Sequence, residues 1–538
     1  MTDFLTEIDR ALDAGDTPAA AALARRALAA GSQDPLVANL VAWRHEEDGQ
    51  YDQAEAVLAT ALARTPGEAS LHLARGSLLR KQGQMKAAVE CFESAIRYDP
   101  AYGSAWFERG ATFEMGGAIA DAADDYRHVL KLEPDNAAAH AALAAVSARR
   151  GERDLAERHA RQAMRLDPAN PIAGNALAQL ALEDGRFEDA VALLEPGSRD
   201  ADNPQSAIGR LTLLGDAYAG LGRHDDAYAS YTRAQGVFQT IHSGRLTGGT
   251  GASTEFLQTI ETSLLAADKT LWPGLADATG PGAARHGPAV HVILTGYPRS
   301  GTTLVENVLA SLPDTVAIEE RPTLTAVDQQ YLGAPGGLGR LAALPEAELD
   351  ILRDDYWARA TRAADADLAD RMFVDMDPFK GSRLPAIARL FPQAKVVIMR
   401  RDPRDVVWSC FHTNFAFNAA TIAFSTLEST ARHYDRTWRI IEMALAELPI
   451  DAFALRYDAL VREFDQTTQA LCRFLGVPWS EQMRRFDKTA QARGVSTASV
   501  TQVRRGLYDG SGGWRPYAAQ MATVEPILRP WIERFEAG

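Results

Sequence analysis

The first half of the chain alternates apolar and polar positions at helical spacing, in blocks divided by glycine. From Leu71 to Lys81, and again from Met85 to Arg97, the pattern predicts two amphipathic helices joined at Gln82-Gly83-Gln84. The block then recurs. Glycine stands at 15, 49, 83, 117, 151 and 185, alanine at 20, 54, 88, 122, 156 and 190, and proline at 66, 100, 134 and 168, each interval being 34. A seventh copy follows a three-residue slip, with Gly222 and Ala227 spaced as before and Gly215, Tyr218, Tyr231 and Ala234 in the remaining small and aromatic slots. The glycine between the helices is expected to end the first in a left-handed conformation. The alanines mark a close helix crossing, and Pro100 and Pro134 close the second helix. One such pair cannot bury its apolar face alone, so the units must stack into a superhelix.

Past residue 240 the period stops. The runs SGRLTGGTGAST and ATGPGAARHGP predict a linker over 241–288 around one short helix from Thr254 to Ala267. The glycine-rich LTGGTG has no strand before it and is read as linker. From residue 289 the spacing changes to short apolar runs, each followed by helical spacing. Ala289–Thr295, Thr315–Ile318, Met372–Val374, Ala394–Met399 and Phe453–Arg456 read as strand segments, and the strand-to-helix alternation predicts a parallel sheet. The expected domains are therefore 1–240, 241–288 and 289–538.

Composition narrows the function classes. The 538 residues are 46% hydrophobic and 24% charged, an ordinary globular balance. The 56 basic and 71 acidic side chains leave a formal charge of −15, which speaks against a surface built to coat nucleic acid or anionic lipid. Cys91, Cys410 and Cys472 are too few and too scattered for a metal cluster or a disulfide framework, which points to a reducing compartment. No run approaches the roughly 18 to 20 apolar residues of a membrane span, and the N-terminus lacks a secretory pattern. The expectation is a soluble, cytoplasmic chain with no nucleic-acid partner and no metal.

Two segments carry candidate chemistry. The first strand runs into Gly296-Tyr297-Pro298-Arg299-Ser300-Gly301-Thr302-Thr303 and then the helical LVENVLASL. A strand, a tight loop and a helix N-terminus aim backbone N–H groups and the helix dipole at one volume, an anion site. The frame matches a nucleotide phosphate loop, but Thr302 stands where the lysine would be, and Arg299 supplies the fixed charge instead. That disfavours a magnesium-dependent kinase. The second segment leaves the strand ending at Met399 as Arg400-Arg401-Asp402-Pro403-Arg404-Asp405, with Ser409 on the next helix; Arg401 and Ser409 could grip a second phosphate. Asp402 and Asp405 are expected to hold the loop or cap the helix.

Together these segments resemble sulfotransferases that use 3′-phosphoadenosine 5′-phosphosulfate, and the repeats resemble the tetratricopeptide repeat. The chain is similar to bacterial proteins with such repeats ahead of a sulfotransferase domain, whose catalytic half is similar to tyrosylprotein sulfotransferases. The resemblance implies a tetratricopeptide α-solenoid followed by a P-loop-NTPase-like α/β/α domain with a parallel sheet. It implies that Arg299, Ser300, Gly301, Thr302 and Thr303 hold the 5′-phosphosulfate and that Arg401 and Ser409 hold the 3′-phosphate. Tyr457, Ser499, Gln502 and Arg504 would add donor contacts. Glu320 would be the catalytic base beside Arg299, with Glu319 and Arg321 at the acceptor and His412 as the alternative base. Relatives often show Asp-Lys-x-Pro where this chain has Asp375-Met376-Asp377-Pro378-Phe379-Lys380, so either Lys380 reaches the leaving phosphate, or Arg299 and the helix N-terminus suffice, or the domain is catalytically weak. Gly513 stands where relatives often carry a basic residue; Trp514 either stacks or anchors its loop. Arg299, Arg321, Arg400, Arg401, Arg404 and Arg504 are expected around one cleft. The partner implied is an acceptor protein, peptide or glycoconjugate in the repeat groove, and a homodimer is an open expectation. The alternative reading is a non-catalytic scaffold with a degenerate nucleotide-binding domain.

Overall fold

The computed structural model describes residues 2–196, 204–242, 253–272, 288–493 and 506–537. The chain divides into two compact units, Met1–Asp200 and Ala201–Gly538. The first is a stack of helix pairs running from Thr2–Asp13 to Phe187–Leu194. Its periodic glycines, from Gly15 to Gly185, all take φ between +71° and +81° with open space where a Cβ would sit. Conformation, not room, selects glycine there. The periodic alanines Ala20, Ala54, Ala88, Ala122, Ala156 and Ala190 are fully buried, as the close crossing requires. The turn prolines have a second role. The carbonyls of Pro66, Pro100 and Pro134 accept from His72 Nε2, Trp106 Nε1 and His140 Nε2 at 2.8, 3.0 and 2.9 Å, so each turn is tied to the helix that follows it.

The second unit opens with helices Pro204–Gly220 and His224–His242, which by sequence are the seventh copy. The expected boundary near 240 and the observed division at 200 thus differ by one helix pair. The reason is aromatic packing: Tyr231 faces Trp408 at 5.9 Å and His242 stacks on Phe417 at 4.3 Å. After helix Thr254–Ala266 the chain builds five parallel strands: β1 (Val290–Thr295), β2 (Thr315–Glu319), β3 (Met372–Met376), β4 (Lys395–Arg400) and β5 (Asp451–Arg456). Their order is β2-β3-β1-β4-β5. One core joins Val292, Leu294, Val305, Val308, Val374, Met376, Val397 and Leu455 under helix Thr302–Ala310 and its neighbours. The architecture is a helical solenoid followed by a P-loop-like α/β domain. From β1 the chain leads toward β2 on one side, and from β4 toward β5 on the other. The loops leaving these adjacent strands diverge and open a crevice at their C-terminal ends, where such sheets bind ligands.

Candidate functional site

The loop from Gly296 to Gly301 lies at that crevice. Gly296 is selected by space, since a Cβ would lie 2.8 Å from Met399 O. Gly301 is selected twice, by φ of +106° and by the Tyr457 ring 2.8 Å from where its Cβ would be. Tyr297 is fully buried and its hydroxyl bonds His433 Nδ1 at 2.8 Å, which pins the loop to the helix Leu427–Glu447. Arg299 takes φ of +69°, a conformation that costs an ordinary residue about 1–2 kcal/mol. It turns the side chain across the crevice, where Nε donates to Ser409 Oγ at 3.0 Å. Desolvation, and then the neighbouring Arg401 charge, hold the Arg299 pKa below its ordinary value.

The β4 side faces this loop across the crevice. Arg401 donates to Arg299 O at 2.8 Å and to Gly510 O at 2.5 Å, lies 4.6 Å over the Tyr457 ring, and keeps a buried Nε–H with no partner among the described residues. The Tyr457 hydroxyl donates to Tyr508 O at 2.7 Å. Asp402 caps the helix Pro403–His412, and Asp405 accepts from Gly512 N and Trp514 N at 2.8 and 3.2 Å. Trp514 lies 4.3 Å beneath Arg404, so both its backbone and its ring are engaged in holding the loop.

Glu320 follows β2 in a left-handed conformation, φ +50°, with its N–H donating to Met376 O at 2.7 Å. Glu320 remains exposed to solvent. Its pKa is nonetheless pushed up to about 7, by desolvation first and then by Asp377, Glu319 and Glu306. Exposure weakens the desolvation share, so the crowding of carboxylates is the firmer cause. Glu306 is 1% exposed on the helix after the loop, and Arg493 ties it at 2.7 Å while also donating to Ala317 O at 2.9 Å. Burial pushes the Glu306 pKa up to about 7 as well.

The structure therefore joins Arg299, Ser300, Gly301, Thr302 and Thr303 with Arg401, Ser409 and Tyr457 at the β1–β4 crevice, and carries Glu319, Glu320 and Arg321 at the end of β2 on the same sheet edge. Ser499, Gln502 and Arg504 lie outside the described residues. Of the arginines expected around one cleft, two are ion-paired. Arg400 is held by Glu442 at 3.0 Å, with a buried Nε–H left without a partner among the described residues like that of Arg401, and Arg404 is held by Asp402 at 2.7 Å. Met376 is fully buried in the core, and Lys380, 1% exposed, is ion-paired with the fully buried Asp375, which also accepts from Thr323 and Tyr356. His412 donates Nδ1–H to Trp408 O at 2.8 Å, because a carbonyl can only accept; burial lowers its pKa to about 4. It lies between Trp408 and Tyr231, at 5.1 and 5.2 Å. Sequence reasoning missed Glu306, which reads as an ordinary helix carboxylate, and Arg493, whose role depends on a strand far away in sequence.

A parallel sheet with a tight glycine loop and a helix N-terminus at its switch point defines an α/β domain of the P-loop-like class. More specifically, residues 291–481 match the family model "Sulfotransferase family". Residues 5–69, 41–90 and 73–137 match "Tetratricopeptide repeat", and residues 110–236 match "Cilia and flagella-associated protein 70 middle TPR-like domain". The chain thus carries a sulfotransferase-family domain preceded by tetratricopeptide repeats. An uncharacterized protein of Aquifex aeolicus (strain VF5) is 29% identical over 252 residues, 46% of this chain and 33% of that one. Protein-tyrosine sulfotransferase 1 of Danio rerio is 26% identical over 215 residues, 39% of this chain and 59% of its own length. Protein-tyrosine sulfotransferase 2 of Gallus gallus is 26% identical over 219 residues, 39% of this chain and 57% of its own. The chain spans from a third to about three-fifths of the length of these relatives.

Proposed function

We propose that this protein transfers a sulfuryl group from 3′-phosphoadenosine 5′-phosphosulfate to a hydroxyl or amine acceptor. The observation that carries this reading is the Arg299–Ser409 contact of 3.0 Å, which brings the loop after β1 and the helix after β4 together as two anion-binding parts of one crevice. A donor with a phosphate on each side of its ribose fits that pair. The buried, unpartnered Arg401 Nε–H fits it as well, since a buried donor left unpaired is unfavourable and a phosphate oxygen would satisfy it. The Thr302 and Thr303 amides, with Arg299, would hold the phosphosulfate; Arg401, Ser409 and Tyr457 would hold the 3′-phosphate side.

In the step itself the acceptor oxygen or nitrogen forms a bond to sulfur while the bond from sulfur to the 5′-phosphate oxygen breaks. The acceptor proton passes to Glu320 and the 3′,5′-bisphosphate nucleotide leaves. Charge growing on the leaving phosphate is stabilised by Arg299 and the helix N-terminus. The names of the animal relatives point to a protein tyrosine as acceptor, and the repeat groove is a surface on which a protein or peptide could be presented. Calorimetry with adenosine 3′,5′-bisphosphate in metal-free buffer tests donor binding: a dissociation constant in the micromolar range is expected, and no binding, or preference for ATP with magnesium, overturns it. Glu320→Gln should keep that affinity and lose transfer of labelled sulfate into a cell extract.

One observation favours a second reading, a non-catalytic nucleotide-binding scaffold: Met376 is turned into the core and Lys380 is committed to Asp375, so neither is placed as a cation for the leaving phosphate. Nucleotide binding with no label transferred from donor to protein, glycan or small molecule would select it.

A further inference from the structure

We infer that the last helix pair of the repeat array is a working part of the nucleotide site, and that Gln235 and Tyr231 position Ser409. The inference rests on the donor reading above. Helix Pro403–His412 delivers Ser409 to Arg299, and its last turn leaves carbonyls without intrahelical partners. Side chains bond carbonyls around this turn, Ser409 O and Phe411 O being two of the unpaired set. His412 Nδ1 bonds Trp408 O at 2.8 Å, Thr413 Oγ1 bonds Ser409 O at 2.6 Å, and Gln235 Nε2 bonds Phe411 O at 2.7 Å. Two of these bonds are local. The third comes from helix His224–His242 across a buried interface, with Gln235 9% and Phe411 1% exposed.

Tyr231 packs into that interface. Its ring lies where a Cβ on Gly215 would be only 2.4 Å away, and its hydroxyl donates to Asp216 Oδ1 at 2.8 Å. The Tyr231 ring also lies by Trp408 at 5.9 Å and His412 at 5.2 Å, an i,i+4 pair on one face of the helix that carries Ser409. Trp408 is also stacked on Tyr517 at 3.8 Å. The helix bearing Ser409 is therefore gripped along its C-terminal half by the repeat pair, and Gln235 and Tyr231 act on the nucleotide through Ser409 as positioning residues.

Hydrogen exchange on the full-length protein, with and without adenosine 3′,5′-bisphosphate, tests this. Slower exchange in 296–303, 403–412 and 224–242 together is expected. Protection of 296–303 and 403–412 with 224–242 unchanged overturns the inference and leaves the donor reading standing. No protection anywhere overturns the donor reading, and the inference with it. A mutant cycle gives the residue-level check. Gln235→Leu should weaken nucleotide binding about tenfold alone, and less than about twofold in a Ser409→Ala background. Equal losses in both backgrounds would make Gln235 merely structural. Should Gln235→Leu fail to fold, the exchange result on the unaltered protein decides.

Discussion

At the scale of single residues, backbone strain marks the candidate site. Among the described residues outside glycine, φ is positive at Arg299, Asp314, Glu320, Asp365 and Asp370. Aspartate tolerates that region because its short side chain bonds nearby backbone; arginine and glutamate have no such excuse. Arg299 and Glu320 were legible as candidates from their motifs, but their conformation was not. The raised pKa of Glu320 was also only partly legible, since Asp377 and Glu306 arrive from other elements. A carboxyl whose folded pKa lies above its unfolded value holds a proton in the native state that the unfolded chain has lost. Its stabilising share is therefore present at low pH and lost between the ordinary range, about 4.3, and about 7. Melting temperature should fall as pH rises across that window, less steeply in Glu306→Gln, while transfer should rise with an apparent pKa near 7; a flat rate profile there would count against Glu320 as base. Lys380 is the opposite case, a buried charge fully used by the fold. Lys380→Met leaves Asp375 uncompensated and should cost about 3–5 kcal/mol in denaturant unfolding.

At the scale of elements, much was visible before the structure. The 34-residue period located every helix pair of the first unit, because the φ demanded at the turn and the contact demanded at the crossing each admit few residue types. The five strand segments stand within a few residues of their expected bounds. Strand order was invisible, since a parallel sheet can interleave its strands without changing any apolar run, and that order is what puts Arg299 beside Arg401. Two glycines with different reasons give one contrast to measure. Gly83→Ala meets open space and should cost only the left-handed penalty, about 1 kcal/mol. Gly301→Ala must also displace the Tyr457 ring, so it should cost about 1–3 kcal/mol more and abolish nucleotide binding; equal losses in the two variants would refute this account.

At the scale of the whole molecule, net charge of −15 coexists with a basic crevice because, among the described residues, most arginines outside it are matched by carboxylates in ion pairs such as Arg109–Asp125 and Arg383–Asp328. The three cysteines are all buried, so a thiol reagent should label none in the folded protein and three after denaturation. Labelling of Cys410 in the native state would mean that the packing behind Arg299 is looser than described. The end of the array was the part of the organisation that periodicity could not place: Tyr231 and Ala234 fill the same slots whether their helix stacks on another repeat or on a sulfotransferase-family domain. That substitution of neighbours bears on how such chains change over evolutionary time. Modules of 34 residues can be gained or lost among the first six copies without touching the hydrogen bonds that seat Ser409. The seventh is not interchangeable with them, and lineages that vary the length of the array should keep it together with the crevice.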